Sequence, residues 1–432
     1  MGHAAYAPAF AADVGGNCCS DLEDRVAELE ATTARKGNRV VSLQIYGQVN
    51  KAILWFDADI GGSDTYIVDN DTSGSRFGFK GEGSIQPGWK AGYNIELDYQ
   101  DAASDKVDNG NVLNGAGDDL SVFDDPIDEI RIRMNYVYIE SERLGRITLG
   151  HQSQTTDGAA EVVLGNSISV ATLYVGNSFT MVNGSATAPT FASANLADFA
   201  NSLDGGRDDL VRYDSPSIYG FIASASVGEN DYWDAALRYK NEWNSIRVAA
   251  AVAVASFRDN SQDDFDFFID NNFDLGRNLN DFDNVLGSIS VMHIPTGIYV
   301  AFAAGATQFN TEFENDSDAD YWYVQLGLEK RFLSYGSTTF YGEYGHYSDF
   351  ARGIVVGSTA VGDDVFDNVI TSSDTERWGF GVVQRVDSAA LELYAQATFW
   401  DISADATDPI DGGSLDLSSD LTTVLVGSRI KF

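Results

Sequence analysis

The side chains best suited to metal binding or nucleophilic attack in this chain are four histidines, His3, His151, His293 and His346, and two cysteines, Cys18 and Cys19. The histidines never recur at the short intervals that a metal requires. The adjacent cysteines would make a strained intrachain disulfide, which leaves free thiols or a bridge between chains. No G-x-S-x-G turn and no phosphate-binding loop occurs. His346 stands near Ser348 and Asp349, but positions i+2 and i+3 on an extended strand do not converge three side chains. The run from Asp69 to Gly74 begins like a calcium loop, yet its twelfth position is Lys80 and not Glu. Carboxylate-dense stretches at 263–274, 314–320 and 362–367 read as solvated loop surface with some capacity for divalent cations. No cofactor, no structural metal and no catalytic centre is therefore expected. With 65 acidic against 27 basic residues and a formal charge of −38, the chain also lacks the basic face that nucleic acid needs.

The elements that would position any charged site have a period of two. In Lys90–Tyr99, Asn94, Glu96 and Asp98 alternate with Tyr93, Ile95, Leu97 and Tyr99. In Glu129–Tyr138, Arg131, Arg133 and Asn135 alternate with Ile132, Met134, Tyr136 and Tyr138. In Leu391–Trp400, Leu393, Ala395, Ala397 and Phe399 alternate with Glu392, Tyr394, Gln396 and Thr398. No segment is long and apolar enough to cross a bilayer as a helix; the most apolar run, Val248 to Ala255, has eight residues. A membrane location would thus require a closed barrel, with lipid outside and water inside.

Counting supports that reading. Candidate strands begin near residues 44, 73, 89, 129, 146, 207, 219, 232, 245, 282, 297, 320, 337, 374, 389 and 421. Their connections alternate short and long, with only Glu229–Tyr232 out of step; the long ones include 154–206, 350–373 and 403–420. The expectation is an all-β fold, a 16-stranded antiparallel transmembrane β-barrel over residues 40–432 with a short N-terminal α-helix. Residues 1–19 read as a signal remnant or flexible terminus, with 1–11 absent from the mature chain. Over 20–37, Leu22, Val26 and Leu29 follow the three- and four-residue steps of a short coiled coil, placed in the periplasm.

Several motifs carry a resemblance. They are Gln44-Ile-Tyr-Gly-Gln-Val-Asn50, Ser75-Arg-Phe-Gly-Phe-Lys-Gly81, Gly145-Arg-Ile-Thr-Leu-Gly150, Arg212-Tyr-Asp-Ser-Pro216 and the terminal Phe432. In this order, over about residues 44–432, they resemble the general porins of Gram-negative bacteria, in their alphaproteobacterial branch. The resemblance implies an outer-membrane channel through which small hydrophilic solutes and ions diffuse passively. It also implies a homotrimer in contact with outer-membrane lipids and lipopolysaccharide, and a third long loop folded into the pore opposite basic wall residues. Arg76 and Arg133 match two wall arginines of the family, and period-two phasing independently turns both toward water. Arg131 shares the face of Arg133. A third wall arginine is either Arg207, which strict alternation puts on the lipid-facing parity of Tyr213, or Arg212, which points inward. The family's first-strand lysine is Gln48 here. The connection 154–206 matches the inserted loop; Asp157 and Glu161 are its candidate constriction carboxylates, while Asp198 and Asp204 read as residues near its return. Such an arrangement sets a transverse field across a narrow channel. Two other classes stay open at this stage, an outer-membrane barrel enzyme of the phospholipase kind and a secreted soluble β-protein.

Overall fold

The computed structural model describes residues 40–59, 61–99, 102–105, 107, 130–167, 180–182, 194–229, 231–258, 281–310, 317–361, 364–407 and 413–432. The coiled-coil segment, Cys18 and Cys19, and the acidic stretch 263–274 lie outside these residues.

The chain winds into a closed antiparallel barrel of sixteen strands. The first half comprises β1 (Gln44–Ala58), β2 (Arg76–Gln86), β3 (Trp89–Asp98), β4 (Arg131–Ser141), β5 (Gly145–Ser153), β6 (Arg207–Asp214), β7 (Phe221–Val227) and β8 (Trp233–Trp243). The second comprises β9 (Ile246–Arg258), β10 (Asp281–His293), β11 (Ile298–Asn310), β12 (Ser317–Leu333), β13 (Gly336–Ser348), β14 (Asp364–Val386), β15 (Leu391–Thr407) and β16 (Ser414–Lys431). Each strand pairs with its sequence neighbour, and β16 closes on β1 from Gln48↔Lys431 to Ala58↔Leu421. Closure removes the free edges that hydrocarbon cannot solvate. Beside this wall, Gly62–Asp69 lies along the upper half of β1 and Val355–Val361 along β14.

Alternation assigns the faces. On β1, Ile53 is 52% exposed on the outside while Leu54, its neighbour, is fully buried inside. Trp322, Trp378 and Phe380 also point outward, with Trp378 stacked on Phe399 at 3.9 Å, as a lipid-facing surface with an interfacial aromatic band requires. Short turns close one end of the barrel. The turn from β4 to β5 depends on Gly145, whose φ of 88° suits glycine and whose missing Cβ makes room for the Asp214 carbonyl.

Two sequence expectations need correction. The strands expected from 374 and 421 start earlier, at Asp364 and Ser414, so the connections expected at 350–373 and 403–420 are partly strand. Asp, Ser and Thr recur on these extensions, so the ladder continues while the hydropathic alternation that marks a strand is weak. The second correction concerns β4. Its pairing with β3 passes from Glu96↔Met134 to Leu97↔Ile132, leaving Arg133 without a partner directly opposite. This bulge reverses the phase. Tyr136 and Tyr138 therefore join the lumen face, while Val137 and Ile139 are exposed on the outside. Uninterrupted alternation had placed both tyrosines toward lipid.

The interior is partly filled. Met181 and α1 (Leu196–Phe199), from the connection between β5 and β6, bury Leu196 and Phe199 in one cluster with Leu54 and Phe56 of β1, Ile402 of β15 and Leu421 and Leu425 of β16.

Candidate functional site

The connection after β5 turns into the barrel, and its two limbs are joined at the base. Gln154 N donates to Gly206 O at 3.0 Å, and Gly206 N donates to the Gln154 Oε1 at 3.0 Å. From there residues 154–167 run along the inner wall. Arg212 donates to the carbonyls of Ser153 and Gln154, both at 3.1 Å, and Arg238 to those of Thr155 (2.6 Å) and Asp157 (2.8 Å). Thr156 N donates to Asp234 at 2.8 Å. Farther round, Ser288 Oγ accepts from Val162 N at 3.0 Å and donates to the Ala159 carbonyl, and Ser290 Oγ accepts from Leu164 N. Ser167 Oγ donates to Gln325 Oε1 at 2.6 Å on β12. These anchors are short, polar and at inward positions, so the wall holds the segment mainly through its main chain.

Asp204 on the returning limb accepts from Gly158 N at 2.6 Å and Ala160 N at 2.9 Å, stapling the turn that carries Asp157 and Glu161. Burial, then the charge of Asp157, pushes Asp204 up to about 7, against the pull of its backbone donors. Burial and the neighbouring Asp204 and Asp157 likewise raise Glu161, with Arg207 opposing.

The basic wall faces this group. Arg133 reaches Glu96 Oε1 on β3 at 3.1 Å, and Arg76 Nε lies 3.9 Å from the same oxygen. Arg207 lies 3.8 Å from Asp157 and close enough to Arg76 and Arg133 for the three charges to interact. Arg131 is half-buried opposite Asp98. The structure thus brings Arg76, Arg133, Arg207, Asp157 and Glu161 into one cluster. Arg207 opens β6 after Gly205 and Gly206, so strand alternation does not govern it, and it turns inward toward Asp157. Arg212 also points inward, but it is held by Asp214 at 2.8 Å and by the loop carbonyls, and so supports the loop.

Sequence reasoning sought the partners of Arg76 and Arg133 on the loop. Their direct partner is Glu96, which shares the lumen parity of Asn94 and Asp98 and was legible on that ground. Asp204, read as a residue near the loop's return, sits inside the cluster, and Asp234 and Arg238 carried no signal beyond an inward position.

A closed barrel with an apolar exterior, a polar charged interior and its own connection folded inside defines a channel-forming outer-membrane protein. The family of Gram-negative porins matches residues 3–405, and the chain belongs to that family. Its barrel is an outer-membrane porin channel. No curated protein matches the chain. Among solved structures, it is similar to an anion-selective porin from Comamonas acidovorans at 15% identity and a TM-score of 0.55, covering 91% of this chain and 100% of that one. It is also similar to OmpT, an outer membrane protein of Vibrio cholerae, at 12% identity and a TM-score of 0.53, covering 92% and 99%. The trimer form of OmpT aligns at 13% identity and 0.52, covering 91% and 100%.

Proposed function

We propose that this porin is a passive, non-enzymatic diffusion channel for small hydrophilic solutes and ions that leans toward cations. Its constriction is set by Arg76, Arg133 and Arg207 on the wall, with Arg131 beside them and Arg212 bracing the connection, and by Asp157 and Glu161 on the inserted connection. The observation that carries this is the carboxylate-bearing turn 157–161, held inside the barrel by Asp204 and facing three interacting arginines. Reversal potentials across a planar bilayer under a salt gradient test it; a channel that strongly prefers anions near neutral pH overturns the cation preference.

The raised loop carboxylates give the preference a pH dependence. Asp204 is charged above about pH 7 and takes up a proton as the pH falls through that value, and Glu161 is raised in the same direction by burial and its acidic neighbours. Each proton removes a negative charge from the constriction, so cation preference falls between about pH 8 and about pH 6. Asp204→Asn, with one titrating group removed, should flatten that profile. A wild-type reversal potential that stays constant across this range contradicts the assignment.

We also place the chain in the alphaproteobacterial branch, as a homotrimer embedded among outer-membrane lipids and lipopolysaccharide. Residues 20–37 then form a periplasmic coiled coil that tethers three copies. Light scattering in mild detergent should give a trimer mass, and deletion of residues 1–37 should weaken assembly without abolishing channel activity. A monomer mass for the full chain would count against both the trimer and the tether.

A further inference from the structure

Two cations on the lumen face, Lys80 of β2 and Arg146 of β5, form no ion pair among the described residues, although acids outnumber bases by 65 to 27 in this chain. Both are seated on tyrosine rings instead. The Arg146 guanidinium lies 3.7 Å over the ring of Tyr138 and 5.6 Å from that of Tyr136, and its Nε donates to Thr148 Oγ1 at 3.2 Å. Tyr138 lies flat on the wall across Gly92, its cross-strand partner, where a Cβ would collide with the ring. The order is glycine, ring, guanidinium, lumen. The same layering recurs two strands away: Tyr46 lies across Gly78, and the Lys80 ammonium stands 4.8 Å over its ring. A hydrogen-bonded row joins the two seats, from Tyr46 Oη to Asn94 Oδ1 at 2.8 Å and from Asn94 Nδ2 to Tyr136 Oη at 3.5 Å.

The carboxylates around Arg146 are committed elsewhere: Glu82 accepts from Tyr138 Oη at 3.3 Å and lies 3.2 Å from Lys90. Glu140, its partner on β4, lies 3.6 Å from Lys90; Asp214, its partner on β6, is bound by Arg212 at 2.8 Å and by Ser224 Oγ at 2.6 Å. A carboxylate partner would occupy the forked N–H edge of a guanidinium, whereas a ring beneath its flat face leaves that edge available. We propose that Arg146 and Lys80, with the Tyr136 and Tyr138 rings between them, form an organic-anion station on the short-turn side of the constriction. It takes a carboxylate carried on a flat ring. The guanidinium edge binds the carboxylate, and the exposed guanidinium face and the Tyr136 ring take the flat body. The bulge in β4 makes this possible, because without the phase reversal both tyrosines would face outward. The station rests on the channel reading above.

The test measures block of chloride current through the full chain in a planar bilayer by sodium benzoate and by sodium acetate, added on the short-turn side. Each block is normalised to that channel's own chloride current. Benzoate should half-block at a lower concentration than acetate. Arg146→Gln combined with Lys80→Gln should raise the half-blocking benzoate concentration roughly five- to tenfold, the size of one ordinary hydrogen-bonded contact. Arg146→Lys, which keeps the charge and loses the plane, should fall between wild type and the double variant. A conducting wild-type channel with equal half-block by benzoate and acetate overturns the station and leaves the channel reading intact. So does a half-block unmoved in both Arg146→Lys and the double variant. A wild-type chain that carries no ion current of either sign overturns the channel reading and the station together, and one that conducts cations but no chloride overturns the station alone.

Discussion

Glu343→Leu is expected to destabilise the barrel by about 3–5 kcal/mol, the cost of leaving a buried charge without its partner. Glu343 on β13 and Arg377 on β14 face inward at 2.6 Å, with side chains 0% and 1% exposed. Glu343 is held from several directions: Oε1 accepts from Arg377 and from Gln396 at 3.2 Å, and Oε2 accepts from Tyr323 at 2.7 Å. Arg377 also lies 5.2 Å from the Trp400 ring. Removing the carboxylate leaves a guanidinium sealed among aromatic rings. Urea unfolding in lipid vesicles, followed by tryptophan fluorescence, measures the loss. Arg377→Met should cost a comparable amount, and the two changes together should recover much of it, because an apolar pair of similar volume replaces a costly buried one. A single-variant loss below about 1 kcal/mol, the range of solvent-exposed pairs, would show that water reaches this pair.

Arg76→Gln with Arg133→Gln is expected to raise cation preference roughly five- to tenfold, and Asp157→Asn with Glu161→Gln to lower it by a similar factor. A unit charge at about 5 Å in water acts with roughly 0.8 kcal/mol. Two charges in a channel with low-dielectric walls therefore change the permeability ratio by about 1–1.5 kcal/mol, up to a factor of roughly ten. The arginine variant also releases Glu96, which loses two cationic neighbours at once and adds to the shift. Salt screens carboxylates on the outer loops more strongly than those at the constriction. If both double variants move the reversal potential in one direction, or neither moves it, these are not the residues that set the field.

Much of this architecture was legible in the sequence because a membrane barrel obeys one short-range rule. Alternation placed Arg76, Glu96 and Asp98 inside correctly, and strand starts at Gln44, Trp89 and Arg207 coincide with expectation. The rule fails where its cause is absent. One residue in excess at the β4 bulge moves Tyr136 and Tyr138 to the other face, and no hydropathy signal precedes it. On β14 and β16, extensions rich in Asp and Ser stay hydrogen-bonded although their hydropathic pattern is weak. The seat of the inserted connection was invisible for another reason. Its contacts join positions far apart in sequence, such as Ser167 with Gln325 and Val162 with Ser288, and each anchor alone is an unremarkable polar residue. Arg207 was ambiguous because it sits at the point where loop becomes strand.

Most of those anchors reach peptide groups of the connection: Asp234, Ser288, Ser290, Arg212 and Arg238 all bond to backbone N–H or C=O. The wall therefore recognises chiefly a course of main chain, with Gln154, Ser167 and Asp204 the connection's own side chains that help to fix it. Position and chemistry are consequently separable in this channel. Substitutions at Asp157, Glu161 or Val163 can alter what the aperture attracts or rejects while the anchored backbone keeps its path. A lineage, or an engineer, can retune selectivity one side chain at a time without rebuilding the scaffold.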